Sequence, residues 1–362
     1  MPASEAQPCE ALEQVEQSGC LPGMRFVSLG RAGAARWLVP EGHALGRNAF
    51  SGWEPYRLTS RMAWAAMKSA LHWPRTRRLL PSRETAIEWL GELDWQALGW
   101  RGPSPPYPLV YLGTPGAKRK AVVHLIDRTT KRCDLIVKVP LTEAARRAIR
   151  QEAQTLLELQ QAGFTSAPRL VAFDPAAYVS SQTVVPGKRC GLKLSREVWV
   201  LLQSLLRPCE ATTLRDETLP LRRTGLGKWG ATASVVADAF DQLDDETELP
   251  AARLHGDFAP WNIKLHNGSA ALVDWEEYSP RGLPLHDAYH FMHMTRYLFG
   301  KPPQPCWPHL RFRYAEPLST VTRWKLELAY LLRSLAAELA ENDHKHAAFM
   351  WMALRLTMLT RP

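Results

Sequence analysis

The chain has 362 residues, 46% hydrophobic and 22% charged, the proportions expected of an ordinary soluble protein long enough for two lobes and an extension and able to bury a large core. The first ten residues lack the basic-then-apolar layout of a signal peptide, and no stretch is long and apolar enough to span a bilayer, so neither a secreted nor a transmembrane protein is expected. A net charge of +9 favours an anionic partner in general, whether nucleotide, phosphorylated metabolite, membrane surface or nucleic acid, and does not choose among them.

The six cysteines (Cys9, Cys20, Cys133, Cys190, Cys209, Cys306) are scattered, with no Cys-x-x-Cys pair, which suits a reduced, cytoplasmic chain. Basic residues are dispersed apart from Arg75-Thr76-Arg77-Arg78 and Lys118-Arg119-Lys120. No nucleic-acid module signature accompanies them, so no nucleic-acid partner is expected.

In chain order, residues 24–40 read as a hairpin turning at Gly30-Arg31-Ala32-Gly33, and residues 60–72 and 82–93 read as helices. The first helix carries Met62, Trp64, Met67 and Leu71 with few charges. Packing against the rest of the protein is the favoured reading; peripheral membrane contact through residues 60–80 is the alternative. The stretch Arg101-Gly102-Pro103-Ser104-Pro105-Pro106-Tyr107-Pro108 is too rich in proline for a helix or a central strand and is read as a linker. It sets the expected boundary between an N-terminal extension (1–107) and the segment that follows.

From residue 109 the pattern is strand, glycine turn, strand, strand, helix. Residues 109–112 and 121–126 flank Gly113-Thr114-Pro115-Gly116, a flexible backbone able to lie over phosphates, with Lys118 or Lys120 adding charge. In Leu135-Ile136-Val137-Lys138-Val139 an apolar strand is interrupted by one lysine, costly to bury without an anionic partner. The helix at 142–161 ends at Gly163 and offers Glu143, Glu152 and Glu158 as candidate partners, Glu152 standing in its middle. Strands at 169–173 and 180–185 end at Pro186-Gly187. Beyond them the pattern turns helical, at 196–206, 231–243, 323–340 and 346–359.

Between those helices stand Leu254-His255-Gly256-Asp257-Phe258-Ala259-Pro260-Trp261-Asn262 and Leu272-Val273-Asp274-Trp275-Glu276. A lone Asp257, an Asn262 at the far end of the same loop and an Asp274 closing a short apolar strand fit metal-assisted phosphoryl transfer. That reaction needs a carboxylate to orient a hydroxyl and oxygen ligands for Mg²⁺. The two stretches resemble the catalytic and metal loops of aminoglycoside phosphotransferases and choline kinases, small-molecule relatives of the protein kinases.

The resemblance spans about the last two thirds of the chain. It implies an α+β, protein-kinase-like two-lobed fold: a small β-rich N-lobe (108–186), a larger helical C-lobe (187–362) and the extra N-terminal segment. It implies ATP as nucleotide, with GTP the alternative, and Mg²⁺ as cofactor. Asp257 is then the catalytic base, Asn262 and Asp274 the metal ligands and His255 a structural brace. Lys138 resembles the β3 lysine of kinases, paired with Glu152 and reaching the phosphates, with Gly113 and Gly116 over them. Pro284-Leu285-His286-Asp287 resembles the family's Pro-x-x-Asp element, so Asp287 is expected to cap its helix and brace the catalytic loop. Gly256 departs from the arginine of protein-kinase loops, and Ala259 from a lysine that many of them carry.

His286, His290 and His293 fall on one helix face and are read as core or substrate-pocket histidines, with a metal site the alternative. The expected acceptor is a hydroxyl on a small molecule. A basic chain without an acidic cluster beyond Glu276 and Glu277 points to a sugar or polyol, with an amino-alcohol or aminoglycoside as alternative. A catalytically silent pseudokinase is the competing class; the complete set Lys138, Asp257, Asn262 and Asp274 argues against it.

Overall fold

The structure, a computed structural model, describes residues 26–31, 34–40, 55–73, 84–85, 87–113, 115–223, 233–310 and 318–362. Cys9, Cys20, the turn residues Ala32 and Gly33, the basic run at 75–78, Thr114 and the start of the helix expected from residue 231 lie outside them. The chain divides into two compact units, residues 1–189 and 190–362.

The first unit is built on one eight-stranded sheet. Its strands are β1 (Phe26–Arg31), β2 (Ala34–Pro40), β3 (Glu84–Thr85), β4 (Tyr107–Leu112), β5 (Lys120–Ile126), β6 (Cys133–Pro140), β7 (Leu170–Asp174) and β8 (Val179–Thr183), in the order β3-β1-β2-β4-β5-β6-β8-β7. Alternation along each strand sends neighbouring side chains to opposite faces and makes two cores. Val110, Leu112, Ala121, Val123, Leu125, Val137 and Val139 form one, closed by Ile87, Leu90, Leu98 and Trp100. Val27, Leu29, Trp37, Val39, Tyr107 and Leu109 form the other, under Trp64 and Leu71 of helix α1 (Leu58–His72).

Two expectations are corrected here. The Pro-rich stretch does not separate compact units, because β2 pairs directly with β4, Trp37 opposite Tyr111. The Trp100 indole donates to the Ser104 carbonyl (2.9 Å), folding the prolines back on the unit, and Tyr107 already belongs to β4. The helix expected at 82–93 is a two-residue strand, β3, and a single turn, α2 (Glu88–Gly91); pairing with β1 captured the Glu84–Thr85 backbone.

Antiparallel register then positions the lysine. Tyr111 lies opposite Val122 and Val122 opposite Lys138, so all three share a face of the sheet, the one that carries α1. On that face helix α3 (Glu143–Gln161) meets Lys138. The Thr142 side chain accepts from the Ala145 amide (3.1 Å) at its N-terminus and its hydroxyl donates to the Ala117 carbonyl, tying the helix to the glycine turn. The buried stripe of α3 runs Ala145, Ala148, Ile149, Glu152, Ala153, Leu156, Leu159, so the buried glutamate at Lys138 is Glu152; Glu143 and Glu158 are exposed.

Between the units' main elements the chain forms β9 (Lys188–Arg189). The second unit contains α4 (Arg196–Ser204), β10 (Leu206–Thr212), α5 (Leu214–Arg223), α6 (Ala233–Gln242), β11 (Leu249–Leu254), β12 (Ile263–His266), β13 (Ser269–Leu272), β14 (Ser279–Gly282), α7 (His286–Leu298), α8 (Thr320–Ala340) and α9 (His344–Leu359). It is thus less purely helical than its periodicity implied, since β11 pairs with both β10 and β14 and β12 with β13. Helix α8 is the hub: Trp324, Leu328, Leu331, Leu332 and Leu335 are buried, and the Trp324 indole donates to the Thr357 carbonyl of α9 (2.7 Å).

Trp64 is the anchor of α1, 9% exposed and 5.7 Å from the Trp37 ring. Truncation to alanine should cost about 3 kcal/mol, the usual loss for a large aromatic from a core. Urea denaturation of Trp64→Ala measures it; an unchanged midpoint would show that α1 does not contribute to the stability of this unit.

Candidate active site

Strand β11 delivers the chain at His255, and the β12–β13 hairpin carries it from Asn262 back to Asp274. The hairpin register (Ile263 opposite Leu272) continues one step beyond the strands, where the Val273 amide donates to the Asn262 carbonyl (2.9 Å). Asn262 is therefore paired with Val273, and Asp274 follows as the next residue.

The loop is held from behind. Asp287 accepts from the His255 amide (2.8 Å) and the Gly256 amide (3.2 Å). Burial pushes the Asp287 carboxyl above its ordinary range, opposed by the nearby His255 and by these backbone donors. The N-cap of α7 is Leu285, with no side-chain capping bond, so Asp287 does not cap its own helix as expected; its oxygens serve the loop instead. His255 is fully buried, its Nε2–H donating to the Val273 carbonyl (3.0 Å) and its ring 4.7 Å from Trp275.

Gly256 has a physical reason. Its φ is +84°, and a Cβ there would stand 2.2 Å from the Glu277 carbonyl oxygen. No arginine fits this backbone. Asp274 (φ +70°) and Leu285 (φ +64°) are also left-handed, and strain of this kind, of order 1–3 kcal/mol per residue, is retained where surrounding structure over-determines it.

Asp257 sits at the front of the loop with its side chain 34% exposed. Asn262 Nδ2 donates to the Asp257 carbonyl (2.9 Å) and to its Oδ2 (2.8 Å), which leaves the Asn262 Oδ1 as an acceptor for a cation. His290 Nε2 contacts Asp257 Oδ1 at 3.1 Å. Burial pushes the Asp257 carboxyl up, but the His290 hydrogen bond and the His290 and His255 charges outweigh it even against Asp274, and the group lies below its ordinary value. The Asp274 carboxylate is near enough to Asp257 for the two charges to repel, and with the Asn262 amide oxygen they are hard-oxygen donors of the kind Mg²⁺ takes.

The remaining site residues lie in the first unit. Lys138 Nζ contacts both oxygens of Glu152, at 2.7 and 2.6 Å, with side chains 5% and 1% exposed. The Gly113 amide donates to the Lys120 carbonyl (2.9 Å), and a Cβ on Gly113 would come within 3.0 Å of that oxygen. Gly116 faces open space, so nothing in the fold demands glycine there.

The three helix histidines part company. His290 meets Asp257, His286 stands edge-on to Tyr330 (5.1 Å), and His293 Nε2 pairs with Glu327 at 2.8 Å. Among the described residues they do not converge on one ligand point. His293, Cys306 and Glu327 do cluster, but Glu327 already accepts from the Cys306 and Trp307 amides, and burial holds the Cys306 thiol well above its ordinary value. That cluster reads as a brace between α7, α8 and residues 306–307. The role of His290 was missed from sequence, though the signal was present: it follows Asp287 by three residues and so shares its helix face.

Residues 196–326 match the phosphotransferase enzyme family. No curated protein matches the chain. Solved structures similar to it include the apo form of a thermostable mutant of aminoglycoside phosphotransferase APH(4)-Ia (12% identity over 69% of this chain and 94% of that one, TM-score 0.46). A choline/ethanolamine kinase family protein from Mesorhizobium loti is 17% identical over 75% and 93% (TM-score 0.44). Choline kinase LicA from Streptococcus pneumoniae is 14% identical over 69% and 92% (TM-score 0.47). The matched segment contains both loops, in line with their resemblance to those of small-molecule kinases. No helix among the described residues is long and apolar enough to cross a membrane.

Two stability outcomes follow from this geometry. Gly256→Ala should destabilise the second unit by about 2 kcal/mol, since it combines a left-handed backbone with a clash; a melting temperature equal to the parent's would refute that. Lys138→Met removes the cation paired with a buried carboxylate and should cost roughly 3–5 kcal/mol, most of it regained in Lys138→Met/Glu152→Leu. Chemical denaturation of the pair decides, and a double variant as unstable as the single one would contradict the pairing energetics.

Proposed function

We propose that the protein is a small-molecule kinase that transfers the γ-phosphoryl group of ATP to a hydroxyl, with Mg²⁺ as cofactor. The observation that carries this reading is the state of Asp257: half-exposed, ionised at neutral pH, and held at both carboxylate oxygens by Asn262 and His290. A carboxylate so fixed accepts a hydrogen bond from the acceptor's hydroxyl, orients the oxygen lone pair toward the γ-phosphorus and takes up the proton as the new O–P bond forms, while the bond from that phosphorus to the bridging oxygen breaks and ADP leaves. Asn262 through Oδ1 and Asp274 through its carboxylate would hold Mg²⁺. The bound ion would neutralise charge on the phosphates. Lys138, aimed by Glu152, would orient the phosphate chain, with the Gly113–Gly116 turn over it. His255 and Asp287 would support the loop without touching substrate.

For the acceptor, net charge of +9 supports a sugar or polyol, whereas the loops' resemblance to aminoglycoside phosphotransferases and choline kinases supports an amino-alcohol or aminoglycoside. The competing pseudokinase reading is disfavoured by the complete set of Lys138, Glu152, Asp257, Asn262 and Asp274.

Measuring Mg²⁺-dependent ADP release with panels of sugars, polyols, amino-alcohols and aminoglycosides tests the activity and selects the acceptor. Asp257→Asn and Asp274→Asn should each lower turnover by about a hundredfold or more while leaving the melting temperature near the parent's, as expected for lost transition-state contacts. Turnover within twofold of the parent in either variant would remove that residue from its role, and absence of any Mg²⁺-dependent ATP turnover in the parent would favour the pseudokinase.

A further inference from the structure

We propose that His290 is a positioning residue for the reaction: its Nε2–H holds the Asp257 carboxylate in the rotamer that receives the acceptor hydroxyl. This rests on the kinase reading above. A carboxylate with an ordinary aspartate pKa is acceptor-only at neutral pH, so the 3.1 Å contact with Asp257 Oδ1 requires the proton on His290 Nε2. With Asn262 Nδ2 on Oδ2 at 2.8 Å, each oxygen has one fixed donor and the carboxylate cannot turn about its last bond without losing both. Each oxygen keeps a further lone pair, and the side chain remains 34% exposed, so the carboxylate can still accept from an incoming hydroxyl.

The same helix face grips the loop twice. Asp287 takes the His255 and Gly256 amides, and His290, about 4.5 Å further along α7 at the ordinary helical rise, takes the side chain of the next residue, Asp257. Backbone and carboxylate are thus registered against one rigid element. The imidazole is itself held: its side chain is 15% exposed, and its ring meets Tyr330 of α8 edge-on at 6.1 Å and 88°. Tyr330 is buried and stacks on Tyr289, so the ring that backs His290 has little freedom. A solvated surface ion pair would show none of this support.

The test combines kinetics with spectroscopy on the full chain. His290→Leu removes the donor and should lower kcat for Mg²⁺-dependent ATP turnover by about 10- to 100-fold, the range expected when a reacting group loses its orientation, with KM for ATP unchanged. His290→Gln, whose Nε2 can replace the imidazole Nε2–H, should recover most of that rate. A Leu variant as fast as the parent, or a Gln variant as slow as the Leu variant, would overturn the assignment. The second arm needs no activity and no change at residue 290: ¹⁵N spectra of the histidine side chains should show a proton on His290 Nε2 in the parent and a shift of that signal in Asp257→Ala. An unshifted signal would overturn the proposal even if the enzyme is active, whereas a shifted signal in a chain without ATP turnover would keep the contact and defeat the kinase reading instead.

Discussion

The pair of backbone amides at His255 and Gly256, both donating to the buried Asp287 carboxylate, is the constraint on which the second unit's site depends. Two buried N–H groups without partners would cost about 1–3 kcal/mol each, so the loop has one favourable path past α7. Following that path forces Gly256 into a left-handed conformation against the Glu277 carbonyl and presents Asp257 forward. Glycine is therefore a steric requirement here, and the absence of a loop arginine follows from backbone geometry.

From that anchor the rest is assembled by ladders. The β12–β13 register, prolonged by the Val273–Asn262 bond, pairs Asn262 with Val273, the residue before Asp274, and the His255–Val273 bond ties the start of the catalytic loop to the end of the metal loop. Charge is managed by partners more than by solvent: Asp257 by His290 and Asn262, Asp287 by amides, Glu327 by His293 and two amides. Among the described residues of this unit the buried carboxylates Asp287 and Glu327 are each satisfied by donors from other elements, and these bonds make the elements' positions interdependent.

The first unit solves a different problem, the burial of a lone lysine in an apolar strand. Lys138 shares its sheet face with Val122 and Tyr111, and the price of desolvating it is met by Glu152, a carboxylate on the buried stripe of α3. The N-terminal segment extends the same sheet, with β2 hydrogen-bonded to β4, so its hairpin and α1 complete a core begun by later strands. That pairing explains why the proline-rich stretch bends back along the unit and does not act as a linker.

Local pattern was enough for much of this. Apolar alternation marked β4, β5 and β6, the 3.6-residue period marked α3 and α8, and the order of Asp257, Asn262 and Asp274 around a short apolar strand carried the resemblance to phosphotransferases. Even the choice among Glu143, Glu152 and Glu158 was latent in the period, because only Glu152 falls on the stripe with Ala145, Ile149 and Leu156. What pattern does not contain is pairing between distant segments: Glu84–Thr85 of an expected helix became β3 because β1 captured it, and β10, β11 and β14 formed a sheet where helices dominated the periodicity. Residue types and spacing by themselves determined which groups this chain can bring to phosphoryl transfer. Tertiary structure alone decided that Asp287 faces the loop instead of capping α7, that Gly256 must stay glycine, and that of three histidines on one helix only His290 meets Asp257, because each depends on a hydrogen bond or a contact between elements far apart in sequence.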